Sequence, residues 1–131
     1  MPVVSVTRLR LRSPRYLPAF IWYVYTSRRQ AAKTAGNLGV KLRKTVGLAF
    51  WTLTIWRDMA AMRSFEIAAP HGSAMAQLSH WCDEAAFVHW DQSASELPSW
   101  DAAAERLRAG GKQGTLRHPS DRHKRGDIVV S

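Results

Sequence analysis

His71 is the residue best placed to do chemistry. It follows Pro70 where a helical pattern restarts, and it shares a stripe with Met75 and Leu78. An imidazole turned toward an apolar interior can serve as a general base or as a metal ligand. The same placement also suits a histidine that caps the helix break through a backbone hydrogen bond. Gly72 and Ser73 fit a close approach of backbone to a ligand, and fit an ordinary turn equally well.

Around it stand candidates for a wall. Phe50, Trp51, Trp56, Phe65, Trp81 and Trp90 are either core or the lining of a flat apolar site. Thr52, Thr54 and Gln30 are the polar groups expected beside such a site. Other chemistries find less material. His80-x-Cys82 lacks the partners and spacing of a zinc site, and His118 and His123 lie in a basic C-terminal stretch. No Gly-rich phosphate loop, nucleophile elbow or CxxC occurs. The lone Cys82 reads as a small core residue, and Asp83-Glu84 reads as a turn cap before a strand.

Alternation and helical spacing supply the elements that must position these groups. Residues 3–12 predict a strand, with Val4, Val6, Arg8, Arg10 and Arg12 on one face and Val3, Ser5, Thr7, Leu9 and Leu11 on the other. Pro18 opens a helix that runs to about Ala35, with Leu17, Phe20, Ile21, Val24, Arg28 and Ala31 as its inward stripe. Strands follow over 38–46 and 48–57, separated by Gly47. Asp58 caps a second helix through Ala61, Met62 and Phe65. Pro70 interrupts it, and a further helical segment carries His71 to Cys82. Residues 85–91 predict the fourth strand, and 99–109 a short amphipathic helix. Residues 1–109 thus read as one α+β domain, and 110–131 as a basic, flexible tail.

Order βαββαβ implies a ferredoxin-like, four-stranded antiparallel sheet with its helices on one face. Yet residues 48–57 are bulky and apolar on both faces. The second face must therefore be covered by another subunit, a ligand or the C-terminal segment. A two-fold homodimer with sheets face to face is the expected solution.

Charge divides the chain. Residues 1–57 hold eleven Lys/Arg and no Asp or Glu, and residues 58–131 hold eight Lys/Arg against ten Asp/Glu. The positive half suits an anionic ligand or a solvated basic face. Nucleic acid is the weaker expectation, because Arg8, Arg10 and Arg12 share a strand face but no RNP-like Lys/Arg-Gly-Phe motif accompanies them. The apolar run 17–25 is far short of a membrane span and lacks a small-residue cleavage site, so a cytoplasmic protein is expected.

The stretches FWTLTIWRDMAAMRSF (50–65) and HGSAMAQLSHWCDEAAFVHW (71–90) resemble an uncharacterised bacterial family of the dimeric α+β barrel superfamily. That superfamily includes antibiotic-biosynthesis monooxygenases and haem proteins, and the pattern is also similar to spheroidene monooxygenase. The resemblance implies a monooxygenase-like protein holding a hydrophobic small molecule in a pocket between sheet and helices. The residues themselves, not the resemblance, nominate the site: His71 as catalytic residue, with Trp51, Thr52, Thr54, Phe65, Met75 and Gln30 on the substrate. Haem held by His71 is one cofactor option and no cofactor is the other. A non-catalytic ligand-binding or interaction module is the alternative.

Overall fold

In a computed structural model of the chain, the described residues are 1–68 and 76–131, together with the backbone of 71–75. The chain orders β1 (Val3–Leu11), a 3-10 turn (Pro14–Tyr16), α1 (Leu17–Lys33), β2 (Asn37–Lys44) and β3 (Ala49–Trp56). Then come α2 (Met59–Ile67), α3 (His71–Trp81), β4 (Cys82–Asp91), α4 (Trp100–Gly110), β5 (Lys112–Gln113) and α5 (Asp121–Lys124).

The sheet runs β2-β3-β1-β4-β5, with every pair antiparallel. This is the ferredoxin-like α+β order, carrying a short fifth strand on the β4 edge rather than the four strands predicted. β4 begins at Cys82, three residues before the predicted start. Cys82 therefore opens a strand instead of closing a helix, and it pairs with Leu11 across a register shift in β1.

Local chemistry explains the helix starts. Asp58 accepts a hydrogen bond from the Ala61 N–H at 2.9 Å, and Ser99 accepts one from Ala102 at 3.1 Å, so each caps an otherwise orphan donor. The turn into β2 needs Gly36, whose φ is +90°.

The two sheet faces have separate cores. Toward α1 and α2, Val3, Trp56, Ala31, Ala61 and Met62 are buried together. At the other end of this face, Leu11, Tyr16, Phe20, Leu78 and Cys82 form a second cluster. Ile21, predicted to join the α1 stripe, is exposed instead, and Ser27 is buried.

The opposite face buries Val4, Val6, Trp51, Leu53, Ile55 and Ala86 against Ala103 and Leu107 of α4. Leu97, Trp100, Ile128 and Val130 pack around them. The face predicted to lack a helix is thus covered by the chain itself. Of the three coverings considered, the C-terminal segment is the one observed. The stretch after α4, predicted to be flexible, is tied down. Gln113 donates to the backbone carbonyls of His123 and Asp127, and Arg8 Nε donates to the Ser131 carbonyl at 2.9 Å. No helix among the described residues is long and apolar enough to cross a membrane.

Candidate functional site

Strand register assembles a polar strip on the sheet face beneath the helices. Directly paired residues share a face. β1 pairs Thr7 with Thr52 of β3 and Phe87 of β4, and Ser5 with Thr54 and His89. β2 continues these rows with Leu42 opposite Thr52 and Val40 opposite Thr54. The rows therefore read Leu42–Thr52–Thr7–Phe87 and Val40–Thr54–Ser5–His89 across the sheet. Above and below them the same face is closed by the apolar clusters of Phe20 and Trp56.

Ser5, Thr7 and Thr52 are only half-buried, and Phe87 and His89 are exposed. No hydrogen bond ties the hydroxyls of Ser5, Thr7 or Thr52 among the described residues. Free hydroxyls on a partly open apolar floor can orient a ligand, because each offers one donor and two acceptor directions. At the β2 side a cleft of about 230 Å³ opens, lined by Val24 of α1 with Leu42, Lys44, Phe50 and Thr52.

The predicted residues divide around this strip. Thr52 lines the cleft, and Phe50 beside it forms part of the wall. Thr54 is buried and accepts a hydrogen bond from the Trp56 indole N–H at 2.9 Å, so its oxygen is committed to structure. Phe65 stacks on Trp56 with ring centroids 5.2 Å apart. Gln30 donates to the Phe65 and Ala68 carbonyls at 3.2 and 3.1 Å, securing the end of α2. Trp51 borders the cleft, but its indole lies in the opposite core, donating to Thr45 Oγ1 and meeting Trp100 edge-on. Arg43 stacks over both of these rings. His71 and Met75 fall in α3, and their side chains lie outside the described residues.

Ser5, Thr7 and His89 belong to the strip but were not singled out from sequence. Each sits on a predicted strand face, and only the register of three strands shows that they meet. His89 is the imidazole the described structure presents on this face.

Asp83 and Glu84 do more than cap a turn. Glu84 is buried and receives Arg8 at 2.9 Å, Ser120 Oγ at 3.0 Å and Arg122 at 3.0 Å. Asp83 takes a two-pronged bond from Arg10 at 2.9 and 2.7 Å. These ion pairs occupy two of the three arginines of the predicted strand that could have met phosphates, while Arg12, just past β1, is held against Tyr16 and His80.

The cleft lining contains no histidine, cysteine, methionine or tyrosine to ligate iron. It does not fit haem, and no group of three His, Cys, Asp or Glu able to hold a metal occurs among the described residues.

The fold is the ferredoxin-like α+β fold also seen in antibiotic-biosynthesis-monooxygenase-like proteins. Rv0793 of Mycobacterium tuberculosis matches with TM-score 0.63 at 15% identity, over 72% of this chain and 100% of its own. A Nitrosomonas europaea protein provisionally named an antibiotic biosynthesis monooxygenase matches with TM-score 0.63 at 12% identity, over 70% and 90%. A point mutant of SnoaB, a cofactor-independent oxygenase from Streptomyces nogalater, matches with TM-score 0.57 at 16% identity, over 75% and 98%. At these identities the likeness is one of fold. No curated protein matches the chain in sequence. Residues 12–119 match the family described as "Domain of unknown function (DUF3291)", and the chain belongs to that family.

Proposed function

We propose that the chain binds a hydrophobic small molecule between its sheet and helices and acts on it as a monooxygenase-like protein. The observation that carries this reading is the strip of unpaired hydroxyls, Ser5, Thr7 and Thr52, set in an apolar floor beside the Val24–Phe50 cleft. The likeness to a cofactor-independent oxygenase supports the reaction class at the level of fold. The cleft volume of about 230 Å³ is small beside the roughly 300–1,000 Å³ of most ligand sites, so it suits one ring or chain end of a ligand that continues along the strip.

In this reading His89 is the general base. It would take a proton from an electron-rich hydroxyl of the substrate, while Thr7 and Thr52 donate hydrogen bonds to the resulting anion. His71 remains the second candidate for the same role, and for haem ligation at a site other than the cleft. The expected homodimer loses its main physical ground, because α4 covers the sheet face that a second copy was to bury.

The test is a panel of apolar phenolic compounds screened by thermal shift and oxygen uptake. Binders should raise Tm, and Val24→Trp, which fills the cleft, should abolish the rise. His89→Ala should lower uptake at least about tenfold while leaving the Tm rise intact. Tm shifts without uptake would favour a ligand-binding module instead. A response that Val24→Trp leaves unchanged would remove the ligand from this cleft. A Soret band on haem addition, altered by His71→Ala, would restore the haem option.

A further inference from the structure

We propose a second site, independent of the cleft, that binds a phosphate-type oxyanion where β1, the 3-10 turn, α3 and the C-terminal segment converge. Its centre is the Tyr16 hydroxyl. Arg12 and Arg15 each place a terminal guanidinium nitrogen 2.6 Å from that oxygen. Both guanidinium carbons also lie over the Tyr16 ring, at 4.9 and 4.8 Å from its centroid. His80 Nε2 stands 3.3 Å from Arg12 and 3.4 Å from the Tyr16 oxygen. His118 meets His80 edge-on, with ring centroids 5.5 Å apart.

The cluster is rich in donors and poor in acceptors. A phenol oxygen accepting from two guanidinium groups has spent its lone pairs, which leaves its own proton for an acceptor such as an unprotonated His80 Nε2, 3.4 Å away. That leaves the remaining Arg15 N–H groups facing solvent, with no protein acceptor among the described residues. Among the described residues Arg12, Arg15 and Arg117 make no ion pair with a carboxylate. Desolvation, and after it the titratable neighbours Arg12, His118, Arg117 and Arg15 that face the ring, lower the His80 pKa.

Like charges held this close repel, and the repulsion grows where water is partly excluded. Helix capping explains only part of the arrangement. The Arg12 N–H donates to the Trp81 carbonyl and Arg12 Nε to the His80 carbonyl, which satisfies the end of α3. The same end takes the Arg117 N–H on the Ser79 carbonyl. None of these bonds uses the side chains of Arg15, Arg117 or His118, and those three are exposed. A tetrahedral dianion would receive them, and paired guanidinium groups suit its oxygens.

The experiment measures Tm of the full chain with sodium sulfate, sodium phosphate or sodium acetate at equal ionic strength. Sulfate and phosphate should raise Tm, and acetate should not. Sulfate keeps its charge between pH 6 and 8, so any pH dependence of its binding belongs to the protein. Its affinity should rise as pH falls from 8 to 6, because a bound dianion offsets the positive neighbours that lower the His80 pKa and so favours its protonation. Arg15→Gln should leave Tm in chloride equal or higher, because it relieves repulsion, and should erase the sulfate response. His118→Gln should weaken that response without erasing it.

A purely structural cluster gives the opposite result. Arg15→Gln would then lower Tm in chloride, and sulfate would act no differently from acetate. Either finding overturns the proposal. Soluble glycerol phosphate and vesicles containing phosphatidic acid, compared at one phosphate concentration, identify whether a free phosphoester or a surface headgroup is the source.

Discussion

At the scale of single residues, Glu84 is the side chain on which most depends. Burial alone would raise its pKa. Hydrogen bonds from Arg8 and Ser120 and the charges of Arg10 and Arg8 outweigh burial, and they hold it below its ordinary 4.5. A carboxyl whose pKa is depressed on folding stabilises the protein above its unfolded pKa. That stability is lost as pH falls through the folded value. Tm should therefore be steady near neutrality and fall below about pH 4. Glu84→Gln should be destabilised at pH 7 by about 3–5 kcal/mol, since it strands the buried Arg8 guanidinium, and its Tm should fall less steeply in acid. Parallel slopes for both proteins would deny Glu84 this role. Cys82 makes a contrasting case. Burial, with Asp83 nearby, pushes its thiol up to about 12. It should resist alkylation in the native protein at pH 8 and react only on unfolding; rapid labelling under native conditions would contradict its place in the core.

At the scale of elements, the turn between α1 and β2 illustrates how geometry and packing coincide. Gly36 has a positive φ, and a Cβ there would lie 2.6 Å from Ala61 Cβ in α2. Gly36→Ala should cost roughly 1–3 kcal/mol from backbone strain alone, with the contact adding to it. Ser99→Ala removes only one capping bond and should cost about 1 kcal/mol. Urea denaturation midpoints would rank the two, and a larger loss for Ser99→Ala would reverse the argument. The element order was legible because each strand and helix announces itself locally, through alternation, Pro18, Asp58 and Gly47. Two things were not. The start of β4 was hidden because Cys82, Asp83 and Glu84 carry helix-compatible spacing, while their pairing with Leu11 and Arg10 lies more than 70 residues away. Thr52 was legible in the candidate site as a polar residue in an apolar strand. Ser5, Thr7 and His89 were not, since their common surface exists only once three strands are in register.

At the scale of the whole molecule, the third strand's two apolar faces correctly announced that a four-stranded domain with helices on one side is incomplete. The sequence pattern did not reveal what completes it. Ile128 and Val130 are isolated apolar residues in a polar stretch, and the sheet cluster they pack against, with Val4, Leu53 and Ile55 among its members, is remote in sequence. The segment is also held by polar bonds that composition hides, among them Ser120 and Arg122 on Glu84 and the Ser131 carbonyl on Arg8. If α4 stands where a second subunit was expected, removing it should recreate the need for one. A chain ending at residue 99 should expose Trp51, Leu53 and Ile55, and light scattering should then show dimers or larger species where the full chain does not pair through this face. The milder Leu107→Ala leaves a cavity against the same sheet and should cost about 2–5 kcal/mol without changing the oligomeric state. Should the shortened chain keep the full chain's oligomeric state and Tm, α4 would be an ornament on the fold rather than the cover that completes it.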